Sequence, residues 1–269
     1  MTTYTSAGHT LSFGDDRTHV MGVVNLSPES ANRDTFAADA EAAVAMADRY
    51  REVGATIIDV GAQSSLRGNR ELDPAEELDR LLPPLRALVA ADHVVSVDTW
   101  KPAVAEAALG EGAAIVNDTG GLQRPEMIDA IARHGAIVIA MYLEGDHPLA
   151  TGELDLRADK AAQMAGRLRP RLAELAEVGV TQVITDPGIG IAYAVDYADV
   201  TRQQLRVVRG LAALKALGPP VLVPVPRKQE PARVAAFTTL ALEHGADVLR
   251  VHDVALACDL VRLFERVAT

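Results

Sequence analysis

The 269-residue sequence is short of several things, and each shortage excludes something. It holds one cysteine, Cys258, so an internal disulfide framework and a cysteine zinc cluster are ruled out. Basic residues are outnumbered, 26 Lys and Arg against 37 Asp and Glu, for a net charge of −11. That balance lacks the basic footprint needed for non-specific binding to nucleic acid or anionic lipid, so neither is expected as a partner. Long apolar runs are missing too. The longest, AIVIAMYL at 136–143, falls far short of a bilayer span. No basic n-region precedes an apolar stretch in MTTYTSAGHTLSF, so no signal peptide is expected and the location is read as cytoplasmic. Aromatics are 4% of residues against 49% hydrophobic overall. Alanine and branched aliphatics therefore do the filling, as where helices pack closely on Val/Ile strands.

What is present is a repeated pattern. Val/Ile-rich runs at 19–25, 56–61, 94–99, 114–118, 136–142, 182–186, 221–225 and 248–252 read as strands covered on both faces. Helical stretches lie between them, at 35–53, after a capping Asp73 with Pro74 in the first turn, and at 156–178, 203–217, 230–245 and 257–267. Glycine recurs just before strands, at Gly54, Gly112, Gly135, Gly179 and Gly245, where a helix C-cap is expected. Eight βα units in about 250 residues fit a single-domain (β/α)8 TIM barrel. An open doubly wound sheet is the rival, weakened because no GxGxxG or GxxxxGK[ST] follows the first strand. The barrel is expected over 19–269, with 1–18 as an N-terminal segment whose residues 4–13 form a hairpin across the barrel bottom.

In such a barrel, catalytic groups sit where strands end. Here those ends carry Asn25, Asp59, Asp98, Asn117 with Asp118, Tyr142 with Glu144, Asp186, Arg227 with Lys228, Arg250, and His252 with Asp253. Each alone reads equally well as a cap or turn, but together they converge on one mouth. Asp98, Asn117 and Asp186, with Lys228, suit a flat heterocycle with several N–H donors, such as a 2-aminopyrimidinone. Arg250, His252 and Asn25 come from the last and first strands, neighbours in a closed barrel, and suit phosphate or diphosphate. The other histidines, His9, His19, His93, His134, His147 and His244, read as surface or loop residues, and no HExxH-type ligand pair occurs. Trp100 reads as packing or pocket lining, and Cys258 as buried rather than reactive.

Five segments in order resemble the dihydropteroate synthase family of pterin-binding barrels. They are VVNLSPES (23–30), SVDTWKPAVAEAAL (96–109) with IVNDTGG (115–121), DPGIGI (186–191), PRK (226–228) and LRVHDV (249–254). The resemblance implies that Asp98, Asn117, Asp186 and Lys228 hold a pterin. It implies that Asn25, Arg250 and His252 hold a diphosphate, with Mg²⁺ near Asn25. It makes Asn25, Lys228, Arg250 and His252 the catalytic set. The implied reaction joins 6-hydroxymethyl-7,8-dihydropterin diphosphate to p-aminobenzoate with release of pyrophosphate, a step of folate biosynthesis. A homodimer through C-terminal helices is implied as well, with Leu256, Leu260, Leu263 and Val267 as candidates; the same stripe would equally pack on the barrel.

The departures from the family cluster in the loops. The family's Gly-rich first loop is replaced by ANRDTFAAD. In GAQSSLRG (61–68) a Glu becomes Gln63, the family's Arg position holds Leu66, and Arg67 is the residue expected to recover the anion contact. The sixth-strand Phe is Ile191, and Pro224, Pro226 and Gln229 replace a Gly and two Ser. Ser65, Ile191 and Gln229 are thus expected on the acceptor side. Three readings stay open: a synthase with divergent loops, a pterin-binding paralogue with another acceptor or no synthase activity, and a methyltetrahydrofolate-dependent methyltransferase. The last is disfavoured because it has no need of Arg250 and His252 for diphosphate.

Overall fold

Period-two alternation in eight short strands decides what this molecule does with its polar residues. The computed structural model describes residues 1–14, 17–30, 32–66, 68–151, 159–191, 197–226 and 231–267. A hairpin comes first, β1 (Thr2–Ser6) and β2 (His9–Phe13), turned at Ala7 and Gly8. Both turn residues have positive φ, the geometry that matches the twist of paired strands.

The barrel strands are β3 (His19–Asn25), β4 (Ile57–Gly61), β5 (Val95–Asp98), β6 (Ile115–Asp118), β7 (Ile137–Met141), β8 (Val183–Asp186), β9 (Leu222–Pro224) and β10 (Val248–Val251). All pair in parallel, in the order β8-β7-β6-β5-β4-β3-β10-β9. A parallel bridge from Thr185 to Val221 closes β9 onto β8. The helices between them are α1 (Ala40–Val53), α2 (Pro74–Ala90), α3 (Pro102–Gly110), α4 (Pro125–His134), α5 (Lys160–Glu177), α6 (Tyr197–Arg209), α7 (Ala212–Lys215), α8 (Pro231–Glu243) and α9 (Val254–Val267).

Two apolar layers hold this together. The larger lies between the outer strand face and the helices, rich in Val, Leu and Ala such as Val24, Val60, Val97, Ala105, Val138 and Leu249. The smaller fills the barrel's lower interior with Met21, Ile57, Ile115, Ile137, Ile139, Ile184, Leu222 and Val248. Tyr4, Leu11 and Phe13 of the hairpin join that inner layer from below. The Tyr4 hydroxyl donates to the Val183 carbonyl at 2.8 Å, which ties the plug to β8. Two residues up β4, β6, β8 and β10, the inward side chains turn polar, at Asp59, Asn117, Asp186 and Arg250. The site therefore stands on an apolar floor.

Several expected boundaries move, for local reasons. The helix expected from Thr35 starts at Ala40, because Asp39 caps it by accepting the Ala42 N–H. Residues Arg33–Thr35 form a separate 3-10 turn. The Asp73 cap is present, as a full capping box with Glu76 and with Pro74 in the first turn. The helix expected over 203–217 begins earlier, at Tyr197, and breaks at Gly210. A Cβ there would lie 2.6 Å from Ala161 Cβ, so only glycine lets α5 and this segment approach so closely. The pre-strand glycines Gly54, Gly112, Gly135, Gly179 and Gly245 all have positive φ. Helices α3 and α4 were not among the expected helices, although Pro102 and Pro125 mark their first turns. His19 and His93 are corrections: both are buried rather than superficial. His19 bridges Thr56 and the Ser12 carbonyl, and His93 bonds Asp48.

Candidate functional site at the barrel mouth

A cavity of about 610 Å³ opens where the parallel strands end. Its walls include Asn25, Asp98, Asn117, Asp186, Ile191, Arg250 and His252, together with Ser65. All were expected at the site from sequence, and the fold brings them to one place. Arg67, Arg227, Lys228 and Gln229 lie outside the described residues. Asp118, Tyr142 and Glu144 do not line the cavity. Asp118 turns outward and accepts the N–H groups of Gly120 and Leu122, and the Tyr142 hydroxyl donates to Glu144.

The register explains the grouping. Asp98 sits beside Asn117 across β5 and β6, and Arg250 two residues above Val248 on β10. Every other residue along each strand faces inward, so one step of register would turn this polar ring into the helix layer.

At the centre is Asp59, wholly buried, for which sequence supplied a strand end but no role. Its Oδ1 accepts the Ser96 hydroxyl at 2.7 Å. Its Oδ2 accepts Arg250 Nε at 2.7 Å, while the Asn117 amide Nδ2 donates to both of its oxygens. Arg250 also gives Nη2 to Asp98 Oδ2 at 2.7 Å. One guanidinium thus holds two carboxylates. Burial works against its charge, but Asp59 and Asp98 outweigh that and push its pKa up. Two carboxylates on one cation leave a surplus of negative charge. Burial and then Asp59 drive the Asp98 carboxyl up, against the pull of Arg250. Burial likewise pushes Asp186 up to about 7, opposed by the Gly188 N–H that its Oδ1 accepts.

Asn117 Oδ1 is buried and, among the described residues, has no hydrogen-bond partner. A buried amide oxygen without a donor is costly, and it points to a ligand N–H.

On the other side of the mouth, Asn25 is folded onto Ser27, its Oδ1 accepting Ser27 N–H at 3.0 Å and its Nδ2 donating to Ser27 O. His252 is gripped through both ring nitrogens, Nε2 by Asn32 at 3.4 Å and Nδ1 by Thr35 at 3.3 Å. The glycine-free first loop thus packs its own polar groups on the histidine.

Gln63, which stands where the resemblance has Glu, uses its amide in a way a carboxylate cannot. Nε2 donates to the Ser64 and Arg70 carbonyls, while Oε1 accepts from Leu72 N and Lys101 Nζ. The third wall was missed by sequence reasoning. Arg233 of α8 and Gln204 of α6 line the cavity beside Gly190, Ile191, Val200, Pro224 and Pro226. No local pattern marks either residue; only the packing of α6 against α8 brings them in.

Among the described residues, no group of three or more His, Cys, Asp or Glu is placed to hold a metal ion. None of their helices is long and apolar enough to cross a membrane.

A closed parallel βα barrel, with buried acceptors and an imidazole gathered at its C-terminal mouth, has the layout of an enzyme barrel. The chain belongs to the pterin binding enzyme family, which it matches over residues 21–252. It is 34% identical over 276 residues to a probable bifunctional folylpolyglutamate synthase/dihydropteroate synthase of Halobacterium salinarum, covering 98% of this chain and 33% of that one. The chain therefore spans about a third of that bifunctional relative's length. It is 32% identical over 273 residues to the dihydropteroate synthase of Synechocystis, covering 95% and 92% of the two chains. The Xanthomonas albilineans dihydropteroate synthase solved with 4-aminobenzoic acid superposes with a TM-score of 0.83 at 32% identity, covering 99% and 98%.

Proposed function

We propose that this protein joins a 6-hydroxymethyl-dihydropterin diphosphate to p-aminobenzoate and releases pyrophosphate, as a dihydropteroate synthase does. The observation that carries the reading is Asn117 Oδ1, a buried amide oxygen without a protein donor, in one cavity with the Asp98 and Asp186 carboxylates. Three acceptors converging on a flat space match the N–H edges of a 2-amino-4-oxo heterocycle, and a carboxylate takes two parallel N–H groups from an N–C–N edge. Lys228 is proposed as a further donor to the pterin.

The step itself is a substitution at the pterin methylene. The C–O bond to the diphosphate breaks and its electron pair leaves with oxygen; the amine nitrogen forms the C–N bond and then loses a proton. The ionised carboxylates around the ring stabilise positive charge at the methylene. Asn25, His252 and Arg250, with Arg67, are proposed to receive the departing diphosphate. A Mg²⁺ ion fits this site only as a partner of the diphosphate, because no carboxylate cage is present among the described residues and Asn25 Oδ1 has one lone pair already on Ser27. When bound, it would offset charge on the leaving group, with Asn25 as its protein oxygen. Ser65 and Ile191, with Gln229, are proposed on the acceptor side. A cytoplasmic homodimer through α9 completes the proposal, supported by Leu263, an exposed leucine on that helix, and tested by light scattering of the purified protein.

The decisive assay mixes protein, pterin diphosphate and Mg²⁺ with and without p-aminobenzoate. Pyrophosphate release that depends on the amine is expected. Tight pterin binding without release would favour a paralogue that has kept only the pterin pocket, and methyl transfer to cobalamin would point to the methyltransferase reading.

A further inference from the structure

The loop after β4 is closed by one side chain. Gln63 stands just past the strand, and Arg70 and Leu72 bring the chain back toward α2. The Gln63 amide joins the two ends. Its Nε2 donates to the Ser64 carbonyl at 2.9 Å and to the Arg70 carbonyl at 3.2 Å, while its Oε1 accepts the Leu72 N–H at 2.6 Å. Arg70 is in turn anchored to Glu76 of α2 by paired contacts at 2.7 and 2.8 Å. Beyond this neck the loop bonds to itself, with Ser64 Oγ accepting the Leu66 N–H and the Leu66 carbonyl accepting the Asn69 N–H. Its near side, at Ser64, Ser65 and Leu66, lines the cavity.

The neighbours of this amide require it to be neutral. Lys101 Nζ lies 3.3 Å from Gln63 Oε1, but its charge is already matched. It donates to Oε2 of the buried Glu77 at 2.6 Å, and Glu77 Oε1 accepts the Thr99 hydroxyl at 2.8 Å. A carboxylate at position 63 would place a second negative charge on that one ammonium. It would also turn an acceptor toward two carbonyl oxygens that need a donor. The neck therefore requires a side chain with one donor end and one acceptor end.

We propose that Gln63 is the positioning residue of this loop: its neutral amide closes the neck and so holds Ser64, Ser65 and Leu66 in place along the cavity wall. The inference goes beyond the reaction proposed above and does not depend on it, because loop order is read without turnover. Gln63 acts through the backbone of its own loop and takes no part in bond making.

The test is amide hydrogen exchange on the whole protein, in its wild-type, Gln63→Glu and Gln63→Met forms, corrected for the intrinsic rate at each pH. At neutral pH and above, both variants should exchange the loop amides of 64–72 roughly tenfold faster than wild type, the worth of the lost hydrogen bonds, while the barrel strands keep their protection. At mildly acid pH, Gln63→Glu should regain part of that protection, because a protonated carboxyl again offers a donor. Gln63→Met has nothing to protonate and should not recover. The charged groups around position 63 are Lys101 after β5, Glu77 on α2, Arg70 and Glu71 in the loop, and Asp98 and Arg250 across the cavity. All three proteins share them, so their titration cancels in the comparison. Wild-type protection of the loop in both variants overturns the inference. So does a loss spread evenly over the chain, an absence of recovery in Gln63→Glu, or an equal recovery in Gln63→Met. Failure of the pyrophosphate-release assay would overturn the proposed reaction and leave each of these outcomes as it stands.

Discussion

Asn117 donates its amide Nδ2 to both carboxylate oxygens of Asp59, at 3.3 and 3.4 Å, and so its Oδ1 faces away from them. A carboxylate only accepts, so Asp59 dictates which end of the amide meets the ligand. The residue proposed to read the ligand is thus oriented by one that does not line the cavity.

Asp59→Asn should therefore do two kinds of damage. It removes one of the two carboxylates that hold Arg250, in a wholly buried place, a loss on the order of 1–3 kcal/mol of stability. It also allows the Asn117 amide to turn over. Urea unfolding is expected to show the first, and a fall in pterin affinity well beyond that of an exposed control such as Asp129→Asn the second. Unchanged affinity in a folded Asp59→Asn protein would refute the orienting role.

Pterin affinity should depend on pH in a stated direction. Burial holds Asp186 up to about 7 in the empty protein. Ligand N–H groups need the ionised form, so affinity should fall roughly tenfold per unit as pH drops below about 7, and level off above it. The same raised value means that the empty fold keeps this group's stability contribution below the unfolded value near 4 and loses it as pH rises toward 7. Titrations at pH 5.5, 6.5 and 8 check the slope, and a flat profile would refute it.

Gly188→Ala should be badly tolerated. Its φ is +66°, and a Cβ would sit 2.0 Å from the Tyr142 carbonyl oxygen, which is backbone and cannot step aside. The Gly188 N–H holds Asp186 Oδ1 at 2.6 Å, so any shift moves a proposed ligand-binding carboxylate. A cost of about 2 kcal/mol or more is expected in thermal or urea unfolding, with weaker pterin binding in whatever folds.

Thr35→Val keeps the shape of a buried side chain but removes the hydroxyl 3.3 Å from His252 Nδ1. The imidazole should lose one of the contacts that orient it, and pyrophosphate affinity should fall by a few-fold, on the order of 1 kcal/mol. Pterin affinity should not move. Equal loss of both ligands would mean that the loop is merely unfolding.

Sequence made much of this legible. Strand runs, recurring glycines and the Asp73 capping box are local signals, and a barrel follows once eight of them repeat. The polar ends of β3, β5, β6, β8 and β10 were legible because alternation by two is a rule of strands, not of this fold. What stayed hidden depends on partners distant in the chain. Asp59 looked like one strand end among several; its contacts with Ser96, Asn117 and Arg250 exist only after closure. Arg233 and Gln204 lie on different helices and meet only because α6 and α8 pack together. The burial of His19 and His93 stays hidden as well, because a lone histidine carries no sign of its buried partners.

The hairpin that plugs the barrel has a consequence for assembly order. It is the first element in the chain and a purely local one, yet its Tyr4 hydroxyl bonds a carbonyl 179 residues further on. Gln182, on the same side, exchanges hydrogen bonds with the Thr5 backbone. The hairpin is therefore covalently near one end of the barrel sheet and bonded to the other, a latch across the floor that ties β8 back toward β3. Contacts of such long sequence separation carry a large loop-closure cost, so docking of the hairpin is expected to form late rather than early.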